Sequence, residues 1–312
     1  MVFLYTYRWL LQSVDVIGAM PAVVATVGAP AAQEAALHKD RVVDGISHPG
    51  ERHLLHNINL AIKPGDWVNL IGSNGSGKST LAKVIAGFGQ HKVTGMFESY
   101  VGSNVVSGLS GFAPLVSQNP ELAIVGMTAE EDAILLLEQL GIPEGEIPSR
   151  VADALQRTGL VSIADKPIGQ LSGGQKQLAA IAGCIASGAD ALILDEPTSM
   201  LDPDASAAVL RTVRELNRSG TTVIWVTQQL DELIEGDRVV ALMDGHIAFD
   251  GESSRFFSRS NGEAESACEQ AGLIAPYLVQ TIWALQKEGI ELVPSMPISM
   301  QAFVKAVAGY GE

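Results

Sequence analysis

The stretch Gly72-Ser73-Asn74-Gly75-Ser76-Gly77-Lys78-Ser79-Thr80 constrains this chain more than any other. It reads G-x-x-x-x-G-K-S/T, and it lies between an apolar, strand-like run from Val68 to Ile71 and an apolar-periodic helix carrying Leu81, Val84 and Ile85. Glycines let the backbone curl until successive N–H groups point inward at phosphate oxygens, and the helix that follows adds the positive end of its dipole. Lys78 is then placed to reach the β- and γ-phosphates of a nucleotide as a point charge, and the Ser79 hydroxyl to ligate Mg²⁺. A glycine-rich turn that merely contained Lys-Ser would need neither the strand before it nor the helix after it.

Two later strings bear on the same chemistry. Leu192-Ile193-Leu194-Asp195-Glu196 is an apolar strand that ends in two carboxylates. Asp195 at the strand tip is suited to hold Mg²⁺ directly or through water, and Glu196, facing the other way, to polarise an attacking water. In isolation two solvated acids at a strand end would be ordinary; beside a phosphate loop they are not. Leu171-Ser172-Gly173-Gly174-Gln175-Lys176-Gln177 sets two glycines at a helix start, a second cradle of free N–H groups for an anion. Because the phosphates already have one cradle within the chain, the second suggests two subunits that face each other and share each nucleotide.

Composition narrows the partners. Among 312 residues, 20 are Lys or Arg and the formal charge is −15, which argues against a nucleic-acid surface. Charged residues make up 18%, as in a globular chain with ample core and not a disordered one. Cys184 and Cys268 form neither a disulfide framework nor a metal-ligand spacing, which fits a reducing compartment.

Organisation follows from periodicity. Residues 1–39 are apolar but interrupted by Arg8, Asp15, Gly18, Pro21, Gly28 and Pro30, so no spanning helix is expected. They read as a loosely ordered extension, or as a start placed too early with Met20 or a later site as the beginning; a signal peptide fits the pattern near residue 30 but lacks a basic n-region. Residues 40–251 read as one α/β domain. It opens with an antiparallel edge from Val42 to Ile62, enters the phosphate loop through the Lys63-Pro64-Gly65-Asp66 turn, and carries a helical subdomain over about residues 121–172. Thr128-x-x-Glu131 opens a helix there as a capping box. The buried runs at Leu192 to Leu194 and Thr222 to Val226 predict parallel strands covered on both faces, and Asp202-Pro203 predicts a helix start. Residues 252–312 form a short helical tail.

Taken together, the phosphate loop, Asp195-Glu196 and Leu171 to Gln177 resemble the nucleotide-binding domain of ABC transporters over about residues 42–251. The resemblance implies an α/β P-loop NTPase fold with a RecA-like core, and ATP with Mg²⁺ bound between two ATPase subunits. It implies that Ser172, Gly173, Gly174 and Gln175 contact the γ-phosphate on the partner, that Gln118 touches Mg²⁺ and reports to a membrane subunit, and that Ser199 to Asp202 cross the dimer interface. Asp202 is also a plain helix cap. Gln118-Asn119-Pro120-Glu121, Thr128 to Asp132, and Ala271 to Pro276 are further similar to the ATPases of energy-coupling factor importers. That implies import of vitamins or of cobalt or nickel ions, a T component and a substrate-binding S component in the membrane, and a peripheral place on its cytoplasmic face. A non-transport ABC protein and an ATP-gated scaffold are the alternatives. The sequence departs from the family twice. His48 falls where an aromatic ring stacks on adenine, a place it could hold as a stacking ring or as a surface histidine. Gln228 replaces the histidine that contacts the γ-phosphate, which implies slowed hydrolysis at this subunit's site, in a homodimer or beside a complete site in a heterodimer.

Overall fold

A computed structural model of the protein describes residues 8–19, 51–88, 92–101, 104–107, 113–259, 265–290, 292 and 296–308. The chain runs through β1 (Trp9–Ala19), β2 (Glu51–Ile62), β3 (Trp67–Gly72), α1 (Lys78–Ile85), β4 (Lys92–Val101), β5 (Asn104–Ser107) and β6 (Leu115–Val116). Then come α2 (Ala129–Gln139), α3 (Ile147–Thr158), α4 (Gly173–Ala186), β7 (Ala191–Asp195), α5 (Pro203–Arg218), β8 (Thr222–Thr227), β9 (Arg238–Met243) and β10 (His246–Glu252). Four helices close it: α6 (Ser253–Phe257), α7 (Ala267–Gln270), α8 (Tyr277–Lys287) and α9 (Met300–Ala308).

A six-stranded sheet in the order β10-β9-β3-β8-β7-β6 carries the site. Its strands are parallel except β10, which returns antiparallel along β9. Every residue of β3 and β8 is buried, as runs such as Val223-Ile224-Trp225-Val226 require when both faces are covered. One face, with Leu70, Ile193, Ile224 and Val226, packs on α1 and the antiparallel sheet; the other, with Leu192, Leu194, Val223 and Trp225, packs on α4 and α5 through Ile181, Val209 and Val213. The register sets Ile71 beside Thr227 and Asp195 beside Val226, so the ends of β3, β7 and β8 come together. Parallel strands place their ligands at such ends.

The remaining strands form a second sheet in the order β2-β1-β4-β5, wholly antiparallel. This corrects the reading of residues 1–39 as a loose extension: residues 9–19 are an interior strand, paired with β2 on one side and β4 on the other. Trp9, Leu11, Val14 and Val16 are buried against Leu55, Ile58 and Ile62. A start at Met20 would delete that strand and expose both neighbours, so the domain begins before residue 40. The strand escapes a period-two reading because it bulges between Leu11 and Val14, with Ser13 at φ +50° and Asp15 accepting from the Asn57 N–H. Val42 and Val43, expected to open the β edge, lie outside the described residues.

Two further groups of helices pack beside the sheets. α2 and α3 pack on α4 through Ala133, Leu137, Val151, Leu155, Ala179 and Ala182. Thr128 caps α2 by accepting from the Glu131 N–H at 3.1 Å. The tail packs Phe256, Phe257, Val279, Ile282 and Trp283 onto Val239 and Ala241 of β9. No helix among the described residues is long and apolar enough to cross a membrane. Because Trp9 is fully buried at the start of the interior strand β1, Trp9→Ala is expected to lower unfolding free energy by about 3–5 kcal/mol in urea titrations; a loss below 1 kcal/mol would show that β1 is dispensable.

Candidate functional site

The loop between β3 and α1 turns because glycine stands at two tight places and at a third with a left-handed backbone. A Cβ on Gly72 would lie 2.4 Å from the Leu242 carbonyl oxygen and 2.5 Å from Ser76 Oγ, and one on Gly77, at φ +107°, would lie 2.6 Å from Leu55 Cδ2. Gly75 adopts φ +82°. Ser73 and Asn74 are exposed at the tip, while Ser76 is buried with its hydroxyl lacking a hydrogen-bond partner. Lys78 opens α1 and, 5% exposed, donates from Nζ to the carbonyls of Gly72 (2.8 Å) and Ser73 (3.0 Å). Burial lowers its pKa, opposed by the charges of Glu196 and Asp195. Thr80 sits half-buried one residue past Ser79.

The ends of β7 and β8 meet this loop. Ser79 Oγ donates to Asp195 Oδ1 at 3.2 Å. Burial raises the Asp195 pKa, the Ser79 bond lowers it, and the neighbouring Glu196 raises it again. Glu196 is a non-glycine residue at φ +51°; its N–H donates to the Val226 carbonyl and its own carbonyl accepts from Ser199 Oγ. Gln228 Nε2 donates to Glu196 Oε1 at 2.5 Å and to Asn74 Oδ1 at 2.8 Å, closing the gap between the end of β8 and the loop tip. Gln118 reaches the same turn from the other side, donating from Nε2 to Ser199 Oγ at 3.0 Å.

The second glycine cradle stands apart. Ser172 and Gln175 form a reciprocal capping box at the start of α4, with Ser172 and Gly173 exposed and Gly174 packed so that a Cβ would lie 2.9 Å from Ala205 Cβ. No hydrogen bond joins residues 172–175 to residues 72–80 among the described residues. Asp202 caps α5 by accepting from the Ala205 N–H at 2.9 Å and is itself exposed. His48 lies outside the described residues. Beside the loop, however, the rings of His53, His56 and His246 stack with centroids 5.2 and 4.7 Å apart. His56 N–H donates to the Gly245 carbonyl and Gly245 N–H to the Ser76 carbonyl, which ties this column to the loop. Neither the column nor the Asn74–Gln228 contact is visible in the spacing of these residues.

A buried lysine on loop carbonyls, two carboxylates at the end of β7 and a second glycine pair at an exposed helix start define an ABC-type ATPase cassette. The ABC transporter profile matches residues 55–199. The chain is 37% identical over 256 residues to the energy-coupling factor transporter ATP-binding protein EcfA1 of Enterococcus faecalis, covering 80% of this chain and 88% of that protein. It is 35% identical over 266 residues to EcfA of Methanosarcina acetivorans, covering 84% and 94%. It therefore belongs to the energy-coupling factor transporter ATP-binding proteins, and is an ATPase subunit coupled to transport. Among solved structures, cbiO1 of Clostridium perfringens, described as part of the ABC transporter complex cbiONQ, superposes with TM-score 0.62 at 25% identity over 79% of this chain and 89% of that one. The dimeric ATP-binding cassette MJ0796 bound to ADP and Pi shares the fold at TM-score 0.58 and 23% identity, over 78% and 98% of the two chains.

The contacts that a Cβ on Gly72 would make set a test of the loop. Gly72→Ala is expected to destabilise the chain by about 1–3 kcal/mol and to weaken nucleotide binding, whereas Gly145→Ala, which meets nothing within 4 Å, stays within about 0.5 kcal/mol of the parent in thermal unfolding.

Proposed function

We propose that residues 72–80 cradle the phosphates of ATP, with Lys78 on the β- and γ-phosphates, and that Glu196 polarises the attacking water while Gln228 orients the Glu196 carboxylate. The observation that carries this reading is the convergence of Lys78, Ser79, Asp195, Glu196 and Gln228 at adjoining strand ends. A hydroxyl and a carboxylate 3.2 Å apart are oxygen donors of the kind a hard cation takes alongside substrate phosphates, so Ser79, Asp195 and the Gln118 amide oxygen fit Mg²⁺. Bound there, the metal supplies neutralisation of charge on the phosphates. The chain's own groups do the rest: the amides of the loop and of the α1 N-terminus bind the phosphates, and the ammonium of Lys78 leaves its two carbonyls for them.

Ser172, Gly173, Gly174 and Gln175, of which Ser172 and Gly173 are exposed and all are remote in bonding from the loop, complete the site of a second ATPase subunit across a dimer, with Asp202 and the segment before it at the interface. Leu122, Val125 and Met127, all more than 70% exposed beside Gln118, offer an apolar contact to the T component, which works with a substrate-binding S component. Ile274, Tyr277, Met300 and Val304 are exposed on the tail and serve the ATPase pair. The transported substrate is a vitamin or a transition-metal ion recognised by the S component, and this subunit sits on the cytoplasmic face of the membrane. Gln228 donates a hydrogen bond but takes up no proton and bears no positive charge, so this site turns over slowly.

Glu196→Gln is expected to cut ATP turnover by about 10²–10⁴-fold while ATP binding persists, and Gln228→His to raise it. Equal rates in Glu196→Gln and the parent would remove the assignment of Glu196. Purification of the chain from its native membranes should bring a multi-spanning protein and a second ATPase with it; recovery with soluble partners alone would overturn the membrane assignment.

A further inference from the structure

Behind Glu196, the carboxylate of Glu232 gathers hydrogen bonds from three places. Its Oε2 accepts from Trp225 Nε1 and from Thr227 Oγ1, each at 2.8 Å, and its Oε1 accepts from the Thr198 hydroxyl. All three donors are buried: Trp225 is 0%, Thr198 1% and Thr227 2% exposed. Glu232 itself closes the short 3-10 turn Leu230–Glu232 that follows Gln228.

The positions of the donors matter more than their number. Thr227 immediately precedes Gln228, and Thr198 stands two residues past Glu196. Since Gln228 Nε2 returns to Glu196 Oε1 at 2.5 Å, the bonds form a closed circuit from Glu196 along the chain to Thr198, across to Glu232, on to Thr227 and Gln228, and back to Glu196. Thr227 Oγ1 also accepts from the Gln229 N–H at 2.9 Å, which pins the backbone on the far side of Gln228. Glu196 needs such restraint. At φ +51° it holds a left-handed conformation that a side chain disfavours, and such a residue keeps its place only where the surroundings over-determine it.

We infer that Glu232 is a positioning residue for ATP hydrolysis: it sets where the Glu196 carboxylate and the Gln228 amide lie relative to one another, and ties both to the turn that runs from Thr198 to Asp202. The inference rests on the roles proposed above for Glu196 and Gln228. A merely structural Glu232, present to satisfy the buried Trp225 indole, would affect folding and not the chemical step.

The test uses the full chain, with turnover at saturating ATP measured beside the dissociation constant for mant-labelled ATP. Glu232→Gln keeps a carbonyl for Trp225 and Thr227 and offers an N–H to Thr198 Oγ, so it retains turnover within about twofold of the parent. Glu232→Ala lowers kcat by about 10- to 100-fold, the scale of a misplaced catalytic group, with nucleotide affinity changed less than twofold. Thr198→Val opens the circuit while leaving Trp225 and Thr227 bonded, and lowers kcat in the same direction without loss of thermal stability beyond a few degrees. Parental kcat in Thr198→Val, or an affinity loss that matches the kcat loss, overturns the inference. If Glu196→Gln is inactive in the same assay, the underlying reading survives that outcome; if Glu196→Gln turns over like the parent, both fall.

Discussion

The Lys78 ammonium is nearly withdrawn from water, and a buried charge of that kind persists only where partners replace its hydration. Two carbonyls of its own loop do so at 2.8 and 3.0 Å, and the carboxylates of Asp195 and Glu196 supply the countercharge. The rest of the core can be derived from that requirement. The carbonyls exist at the right place because β3 ends in a glycine loop; the carboxylates exist there because β7 runs parallel to β3 with only β8 between them. Were β7 antiparallel, Asp195 would lie at the opposite edge of the sheet and burial of Lys78 would have no compensation. On the proposed reading, a phosphate offered to the loop competes with carbonyl dipoles for the ammonium, and a full anion makes the stronger, charge-assisted bond.

The second sheet takes part in the same arrangement. Its strand β2 presses Leu55 against Gly77, and its His56 N–H binds the Gly245 carbonyl, whose own N–H binds Ser76. The phosphate loop is thereby held from outside by β2 and the β9–β10 turn, and from inside by the ends of β7 and β8. This explains why β1 matters to a site it does not touch: it is the strand on which β2 is paired, and Trp9, Leu11, Val14 and Val16 fill the space between that sheet and α1.

What was legible in the sequence is what local rules govern. The loop, β3, β7 and β8 show themselves because a strand buried on both faces is a plain apolar run, and the caps at Thr128 and Asp202 because a side chain that accepts from the N–H three residues on leaves a fixed spacing. β1 was hidden for a physical reason. Its bulge at Ser13 shifts the alternation mid-strand, and both of its partners lie at least 30 residues away, so neither period nor proximity marks it. Gln228 was legible as a departure from a family pattern, but its hold on both Glu196 and Asn74 was not. Nor was the gathering of Trp225, Thr227 and Thr198 on Glu232, which depends on strand register and the 3-10 turn and leaves no trace in spacing.

On the proposed reading, the second glycine cradle makes a single chain an incomplete machine. Its capping box satisfies part of the α4 N-terminus from within, yet Ser172 and Gly173 remain exposed. Lys176, one turn along, pairs with Glu121 just past Gln118, so the cradle and the Gln118 segment are joined across the helical subdomain. With Glu121 largely in solvent, such a pair adds little stability, about 0–1 kcal/mol, but it gives the two segments a direct contact. Gln118 in turn binds Ser199, which binds the Glu196 carbonyl. On the proposed reading, a displacement that a membrane partner imposes on the helical subdomain reaches both the cradle that completes a neighbour's site and the turn that places this chain's own Glu196. Two sites in a dimer would then be coupled through this ion pair and these hydrogen bonds, and the coupling needs no change in the parallel sheet.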